Sequence, residues 1–297
     1  MQISTTANPT PVDDARLAEI LANPGFGTHF TDHMLTVEWT PDEGWHAARI
    51  EPYGPLTLDP ATAVLHYAQE TFEGMKAYRH DDGSIWTFRP EQNAARMVRS
   101  SKRLAFPELP VDDFVACVDA LVETDQRWVP DNASGGGEGE KSLYLRPFMF
   151  ASEKFLGVRP AQHVTFMVIA SPAGAYFKGG IKPVNLWLSE TFTRAGRGGM
   201  GAAKTGGNYA ASLAAQQHRA PRPVAVDTVF HGLDARPIGP PGTSGRIAAL
   251  DASPADARVL WTGTATGATA PLPPFLPGLN GRQARKDSNI LLRKACR

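Results

Sequence analysis

The sequence predicts an α/β (α+β) protein of two domains. Three observations carry this expectation. Short segments of alternating apolar and polar residues, which suit half-buried strands, are interleaved with amphipathic helical patterns. The chain has 297 residues, more than one domain of ~100–200 residues needs. A stretch with Gly and Pro at 171–182 then divides the chain into two series of elements.

Taken in order, residues 35–39 and 49–53 alternate and predict strands, and 61–71 predicts a helix that enters a tight FEG turn. The turn signal Asp81-Asp82-Gly83 places a strand at 84–88. Pro90 suits a first helical position, because its fixed φ is already helical and its missing N–H would have had no partner there. Met97 and Ser101 or Leu104 then recur at helical spacing up to Pro107. Residues 111–128 form a clearer amphipathic pattern, with Phe114, Val118, Leu121 and Val122 on one face and Pro130 just beyond the end. The polar, Gly-rich NASGGGEGEK at 132–141 predicts a solvated loop. SLYLRPFMF and HVTFMVIA read as neighbouring strands of one sheet, SPAGAYFKGG as a linker, and VNLWLSE as a further strand. A Gly-rich run, RAGRGGMGAAKTGGN, leads into a helix from Tyr209 to about Arg219. The expected layout is a small N-terminal α/β domain at 1–170, a linker at 171–182, the start of a larger domain at 183–220, and an atypical tail at 221–297.

Composition narrows the function classes. With 30 Lys+Arg against 30 Asp+Glu, the chain has no basic excess to neutralise a phosphate backbone, so nucleic acid is not an expected partner. Cys117 and Cys296 have neither metal-ligand spacing nor a disulfide framework, which fits a reducing compartment and no metal. No basic, then apolar, leader opens the sequence and no run of ~18 apolar residues occurs, so the expectation is a cytoplasmic protein without a membrane partner.

Lys204 lies in the most glycine-dense stretch, where backbone can approach a ligand closely. Three readings are open: a surface lysine on a flexible loop; a P-loop lysine, although Ala203 stands where that motif demands Gly; and a Schiff-base lysine, whose amine must be partly desolvated to act as a nucleophile. On the strand 143–150, side-chain alternation places Tyr144 and Arg146 on one face, and an arginine on an otherwise apolar strand is costly unless it meets an anion.

Six segments in order, LHYAQETFEGMKAYR, FRPEQNAARMVRSSKRLAFP, LYLRPFMF, SPAGAYFKGG, FTRAGRGGM and GAAKTGGNYAASL, closely resemble the branched-chain amino acid aminotransferases. These belong to class IV of the pyridoxal-phosphate aminotransferases, which share the fold type IV of D-amino acid aminotransferase. The resemblance covers about 26–220. It implies pyridoxal 5'-phosphate as cofactor, with Lys204 as catalytic Schiff-base lysine and proton carrier, Tyr209 on the cofactor's phenolic oxygen and Arg96 on its phosphate. It further implies a substrate pocket of Phe72, Tyr67, Tyr144, Arg146 and Tyr176, with Arg146 meeting the side-chain carboxylate of glutamate and Tyr67 reaching a neighbouring subunit of a homodimer. The implied reaction moves an amino group between leucine, isoleucine or valine and 2-oxoglutarate. D-amino acid aminotransferase is the alternative within the fold type, and FEGMKAYR with LYLRPFMF favours the branched-chain branch.

The tail departs from this pattern. Residues 221–297 hold 8 Arg, 2 Lys, 5 Asp and 10 of the 25 Pro, but no Glu, Met or Tyr. The first 220 residues carry 20 basic and 25 acidic side chains, so the neutral total sums two unlike parts. The family places a Glu opposite the pyridine nitrogen after the lysine segment, whereas the last Glu here is Glu190. The later phosphate-binding segments are not recognisable either. Such a composition is what a shifted reading frame of a GC-rich gene yields. The expectation is a frame change near 214–222, an incomplete second domain, and a truncated homologue with little activity as the alternative function.

Overall fold

The structure, a computed structural model, describes residues 1–132, 141–174, 189, 191–217, 247–253, 256–264 and 292–294. It divides into two compact units, one of Met1–Ile181, Ala195–Ala210 and Ile290–Arg297, the other of Lys182–Arg194 and Ala211–Asn289. Residues 195–210, which carry Lys204, therefore cluster with the first unit.

The first unit contains β1 (Ser4–Thr5), α1 (Asp14–Ala22), β2 (His33–Thr40), β3 (Gly44–Pro52), α2 (Ala63–Tyr67), β4 (Glu70–Phe72), β5 (Met75–Arg79), β6 (Ile85–Phe88), α3 (Pro90–Arg103), α4 (Val111–Thr124), β7 (Ser142–Ala151), β8 (Val164–Ala173) and α5 (Gly206–Ala210). In the second unit the described elements are α6 (Leu213–Gln217) and an antiparallel hairpin of β9 (Ile247–Ser253) and β10 (Asp256–Thr264). A last strand, β11 (Leu292–Lys294), returns to the first unit and pairs with β6.

The sheet order is β1-β3-β2-β8-β7-β5-β6-β11, with β4 also paired to β7. All pairings are antiparallel except β1 with β3. Strands β7 and β8 are neighbours, in register from Ser142↔Ala173 to Ala151↔Val164, as their sequences predict. Period-2 alternation sends Leu143, Leu145 and Met149 of β7 into the core and leaves Tyr144, Arg146 and Phe148 half-buried on the opposite face. The core is closed by α3 and α4, whose Met97, Phe114, Val118, Leu121 and Val122 bury against Leu35, Val37, Leu145 and Phe166. Each such fully buried side chain contributes ~1.5–3 kcal/mol.

The linker expected at 171–182 begins inside β8, because Ser171, Pro172 and Ala173 pair with Tyr144, Leu143 and Ser142 of β7. Three further elements differ from the sequence expectation. The helix expected over 61–71 stops at Tyr67, because Ala68 turns left-handed (φ 49°) and its N–H closes on Val64 O at 3.1 Å. The chain then runs as β4, whose Glu70, Thr71 and Phe72 oppose Phe150, Met149 and Phe148. Pairing with a strand more than seventy residues away thus overrides a local helical pattern. The helix expected over 111–128 ends at Thr124, and a single 3₁₀ turn, Gln126–Trp128, follows. Here Asp125 leaves the helix and accepts from His33 at both N (3.0 Å) and Nδ1 (2.7 Å). Finally, the helix expected from Tyr209 begins earlier and is two short helices, α5 and α6, interrupted at 211–212. The expected strand VNLWLSE lies outside the described residues apart from Ser189, as does most of the loop at 132–141. Among the described residues no helix is long and apolar enough to cross a membrane.

Candidate active site

Strand β4 and the turn before α5 build the site. Lys204 is 6% exposed. Its backbone is held by three hydrogen bonds from two elements: Lys204 N donates to Ser100 Oγ of α3 at 2.9 Å, while Lys204 O accepts from Phe72 N (3.0 Å) and Thr71 Oγ1 (2.8 Å) of β4. The preceding glycine-rich turn is closed by Asn208, buried, whose Nδ2 donates to Met200 O and Ala203 O at 2.8 Å each. This explains an Asn in GGNY: a side-chain amide supplies two donors to carbonyls that the tight turn leaves inside.

Lys204 Nζ donates to Tyr209 Oη at 2.8 Å and lies 4.4 Å from the Phe72 ring centroid and 5.1 Å from that of Tyr209. The Phe72 and Tyr209 rings are themselves 5.0 Å apart. The Arg146 guanidinium sits 4.9 Å over Phe72 and donates to Tyr144 Oη at 2.9 Å. Among the described residues the buried Arg146 Nε has no hydrogen-bond partner, an uncommon state for a charged donor and one that a bound acceptor relieves. Tyr144 stands edge-on to Phe26 with centroids 5.1 Å apart. Its hydroxyl occupies the space beside Gly74, where an added Cβ would overlap Tyr144 Oη. The Gly of FEG is therefore required by Tyr144.

Arg96 lies beside another carboxylate. Its Nε and Nη2 grip Glu73 Oε1 and Oε2 at 2.7 and 2.6 Å, and Asn93 Nδ2 adds a third bond to Glu73 at 2.9 Å. Glu73 is fully buried. The two-donor edge of Arg96 thus serves an internal ion pair, which leaves Nη1 as the guanidinium nitrogen with no protein acceptor among the described residues.

The structure brings Phe72, Tyr144, Arg146, Lys204 and Tyr209 into one cluster. Tyr67 is not part of it: at 40% exposure, it donates its hydroxyl to Leu156 O. Tyr176 lies outside the described residues. Two residues escape the sequence reading, Glu70 and Glu73. A buried carboxylate needs a partner, but nothing local in the sequence marks either glutamate as buried or names its partner. Glu70 Oε1 accepts from Gly206 N and, at 3.2 Å, from Thr205 Oγ1. Burial pushes its carboxyl above the usual range, opposed by those two bonds and by the charges of Arg146 and Lys204. Among the described residues no cluster of His, Cys, Asp or Glu has the makings of a metal site.

No family profile matches the chain. Against individual proteins, it is 63% identical over 210 residues to a probable branched-chain-amino-acid aminotransferase of Streptomyces coelicolor, covering 71% of this chain and 57% of that protein. Over the matched stretch, the chain is a homologue of the branched-chain-amino-acid aminotransferases. The family's enzyme from Mycolicibacterium smegmatis is 56% identical over 220 residues, 74% of this chain and 58% of that protein. Among solved structures, a branched-chain aminotransferase from the thermophilic archaeon Thermoproteus uzoniensis, with norvaline, is similar over 62% of this chain and 55% of its own, at 19% identity and a TM-score of 0.45. The chain spans a little over half the length of the curated relatives it matches.

Proposed function

We propose that the chain carries the lysine-bearing part of a pyridoxal-phosphate site for amino transfer between a branched-chain amino acid and 2-oxoglutarate. The observation that carries the reading is the Lys204 amine, nearly buried and held at 2.8 Å by Tyr209 Oη between two aromatic rings. The donor set fits the cofactor at its aldehyde end. Lys204 offers the amine for covalent attachment, Tyr209 Oη a hydrogen-bonding phenol beside it, and Arg96 Nη1 a cationic donor for the phosphate. Bound pyridoxal phosphate supplies an electrophilic carbon and an electron-withdrawing ring. Lys204 Nζ, when not covalently engaged, is the base that takes and returns the substrate α-proton, with Tyr209 Oη keeping it in place. Phe72 and Tyr144 line the space for an aliphatic side chain. Arg146, whose Nε has no partner among the described residues, meets the side-chain carboxylate of the dicarboxylic partner. One methylene is worth ~1–3 kcal/mol, so leucine, isoleucine and valine are poorly discriminated.

A homodimer is part of the proposal. Its support is a group of exposed apolar side chains on α2 and the loop after β7, Leu65, Tyr67, Phe155, Leu156 and Val158, which water does not favour.

A second reading has its own observation. No Glu follows Glu190, so no glutamate stands after the lysine segment to keep the ring nitrogen protonated. On this reading the chain is a shortened homologue, ending in a shifted frame near 214–222, that binds cofactor weakly and turns over little. One experiment separates the two. The purified chain is mixed with pyridoxal phosphate, reduced with borohydride and digested, and the modified peptide is identified; leucine and 2-oxoglutarate turnover is measured in parallel. Modification at Lys204 supports the site, and modification spread over other lysines overturns it. Full turnover overturns the shortened-homologue reading.

A further inference from the structure

Strand β4 offers three consecutive residues to one turn. Thr71 Oγ1 and Phe72 N both hold Lys204 O, at 2.8 and 3.0 Å, and Glu70 reaches past them to Gly206 N and Thr205 Oγ1. Of these only Glu70 touches Gly206, the first residue of α5, and α5 carries Tyr209 three residues later. The approach exists because residue 206 is Gly: an added Cβ would lie 2.5 Å from Glu70 Oε1. A carboxylate oxygen accepting two bonds from one turn fixes that turn more firmly than a neutral acceptor does, since charge-assisted bonds are shorter and stronger.

We propose that Glu70 is the positioning residue of the site, anchoring the start of α5 to β4 so that Tyr209 Oη meets Lys204 Nζ against the Phe72 ring. The inference rests on the reading of Lys204 as the reactive amine and names the residue that aims it. The described bonds of the Glu70 carboxylate go to Gly206 N and Thr205 Oγ1, on the backbone path between Nζ and Oη. Glu70 acts through that backbone, and its two bonds join the strand that supplies Phe72 to the helix that supplies Tyr209. The burial that raises its carboxyl pKa agrees with a group held inside rather than solvated.

The test uses the full chain without added cofactor, as wild type, Glu70→Ala, Glu70→Gln and Thr205→Val. Two readouts are independent of turnover: hydrogen exchange of the 205–210 peptide, and the pH profile of Lys204 modification by trinitrobenzenesulfonate, quantified by peptide mass. E70A is expected to speed exchange about tenfold and to move the Lys204 profile toward that of an exposed lysine. E70Q keeps an acceptor oxygen and is expected to stay within about threefold of wild type. T205V removes one of the two bonds and is expected to change exchange about twofold. An E70A chain with unchanged exchange and profile overturns the proposal, as does E70Q behaving like E70A at an unchanged urea midpoint. Where E70A does not fold, T205V carries the test with E70Q as its folding control, and exchange of the 205–210 peptide that is unchanged in T205V overturns the proposal. If these responses occur while borohydride traps nothing on Lys204, Glu70 is upheld and the cofactor reading is what fails.

Discussion

Arg96→Met is expected to destabilise the first unit far more than a surface arginine would. Glu73 is fully buried, and its carboxylate is satisfied by Arg96 Nε and Nη2 at 2.7 and 2.6 Å and by Asn93 Nδ2 at 2.9 Å. Removing Arg96 strips two of the three bonds and leaves an uncompensated charge in the interior, a change that costs ~3–5 kcal/mol. At an m-value of ~2 kcal/mol/M, the urea midpoint falls by about 2 M. Glu73→Gln is milder, because Arg96, at 13% side-chain exposure, retains some access to water and the amide keeps one acceptor. The double variant is milder than the sum of the singles, since it leaves no isolated charge, and the coupling is expected to exceed ~1.5 kcal/mol. Tryptophan-fluorescence urea titrations of the four proteins close the cycle. An Arg96→Met cost under ~1 kcal/mol, or singles that add within ~0.5 kcal/mol, refutes the internal ion pair and returns the two-donor edge of Arg96 to a ligand.

Gly74→Ala is expected to displace the Tyr144 hydroxyl, which an added Cβ would overlap, at a stability cost of ~1–3 kcal/mol; in a chain that turns over, KM for the dicarboxylic substrate should rise more than that for the aliphatic one. Asp32→Ala should cost ~3 kcal/mol or more in a urea titration, because the buried carboxylate accepts from Val12 N and Trp128 Nε1 at 2.8 Å and from Arg127 Nε at 3.3 Å. Ala68→Gly should stabilise by ~0.5–1 kcal/mol, since the native φ of 49° costs Ala more than the unfolded-chain entropy gained by Gly offsets, and a thermal melt checks it. The raised pKa of Glu70 fixes a pH dependence. In the window above its ordinary 4.5 the folded state binds more protons than the unfolded one, so the contribution of this group to stability falls as pH rises through that window. Urea midpoints of wild type and E70Q across that range should therefore diverge in favour of E70Q as pH increases.

What the sequence makes legible follows from how local the signal is. Tyr144 and Arg146 are two residues apart on a strand, and alternation alone puts them on one face, where Arg146 Nη2 and Tyr144 Oη meet at 2.9 Å. Lys204 and Tyr209 lie five apart in one motif and meet at 2.8 Å. The elements that misread are those settled by distant partners. Residues 68–72 leave the helix because β7 offers an edge to pair with. Asp125 leaves the next one because His33, 92 positions earlier, supplies two donors. Glu70 and Glu73 carry no pattern that tells them from solvated glutamates, and only the fold brings Gly206 and Arg96 to them.

The described partners of the Lys204–Gly206 turn come from β4, α3 and residues 200–209 themselves: Glu70, Thr71, Phe72, Ser100, Asn208 and Tyr209. All belong to the first unit and precede the basic, Glu-free tail. The described bonds that aim the lysine are thus made within residues 70–209, whereas no glutamate for the ring nitrogen follows the lysine segment in the sequence. On the proposed function these two dependencies separate attachment from turnover. Attachment needs the aimed amine of Lys204, and the acidity of the substrate α-proton needs the ring nitrogen's partner. A chain that is modified at Lys204 yet barely transfers amino groups has the former without the latter, and Lys204→Ala, which abolishes the modification and leaves the fold, is the control that ties the adduct to this amine.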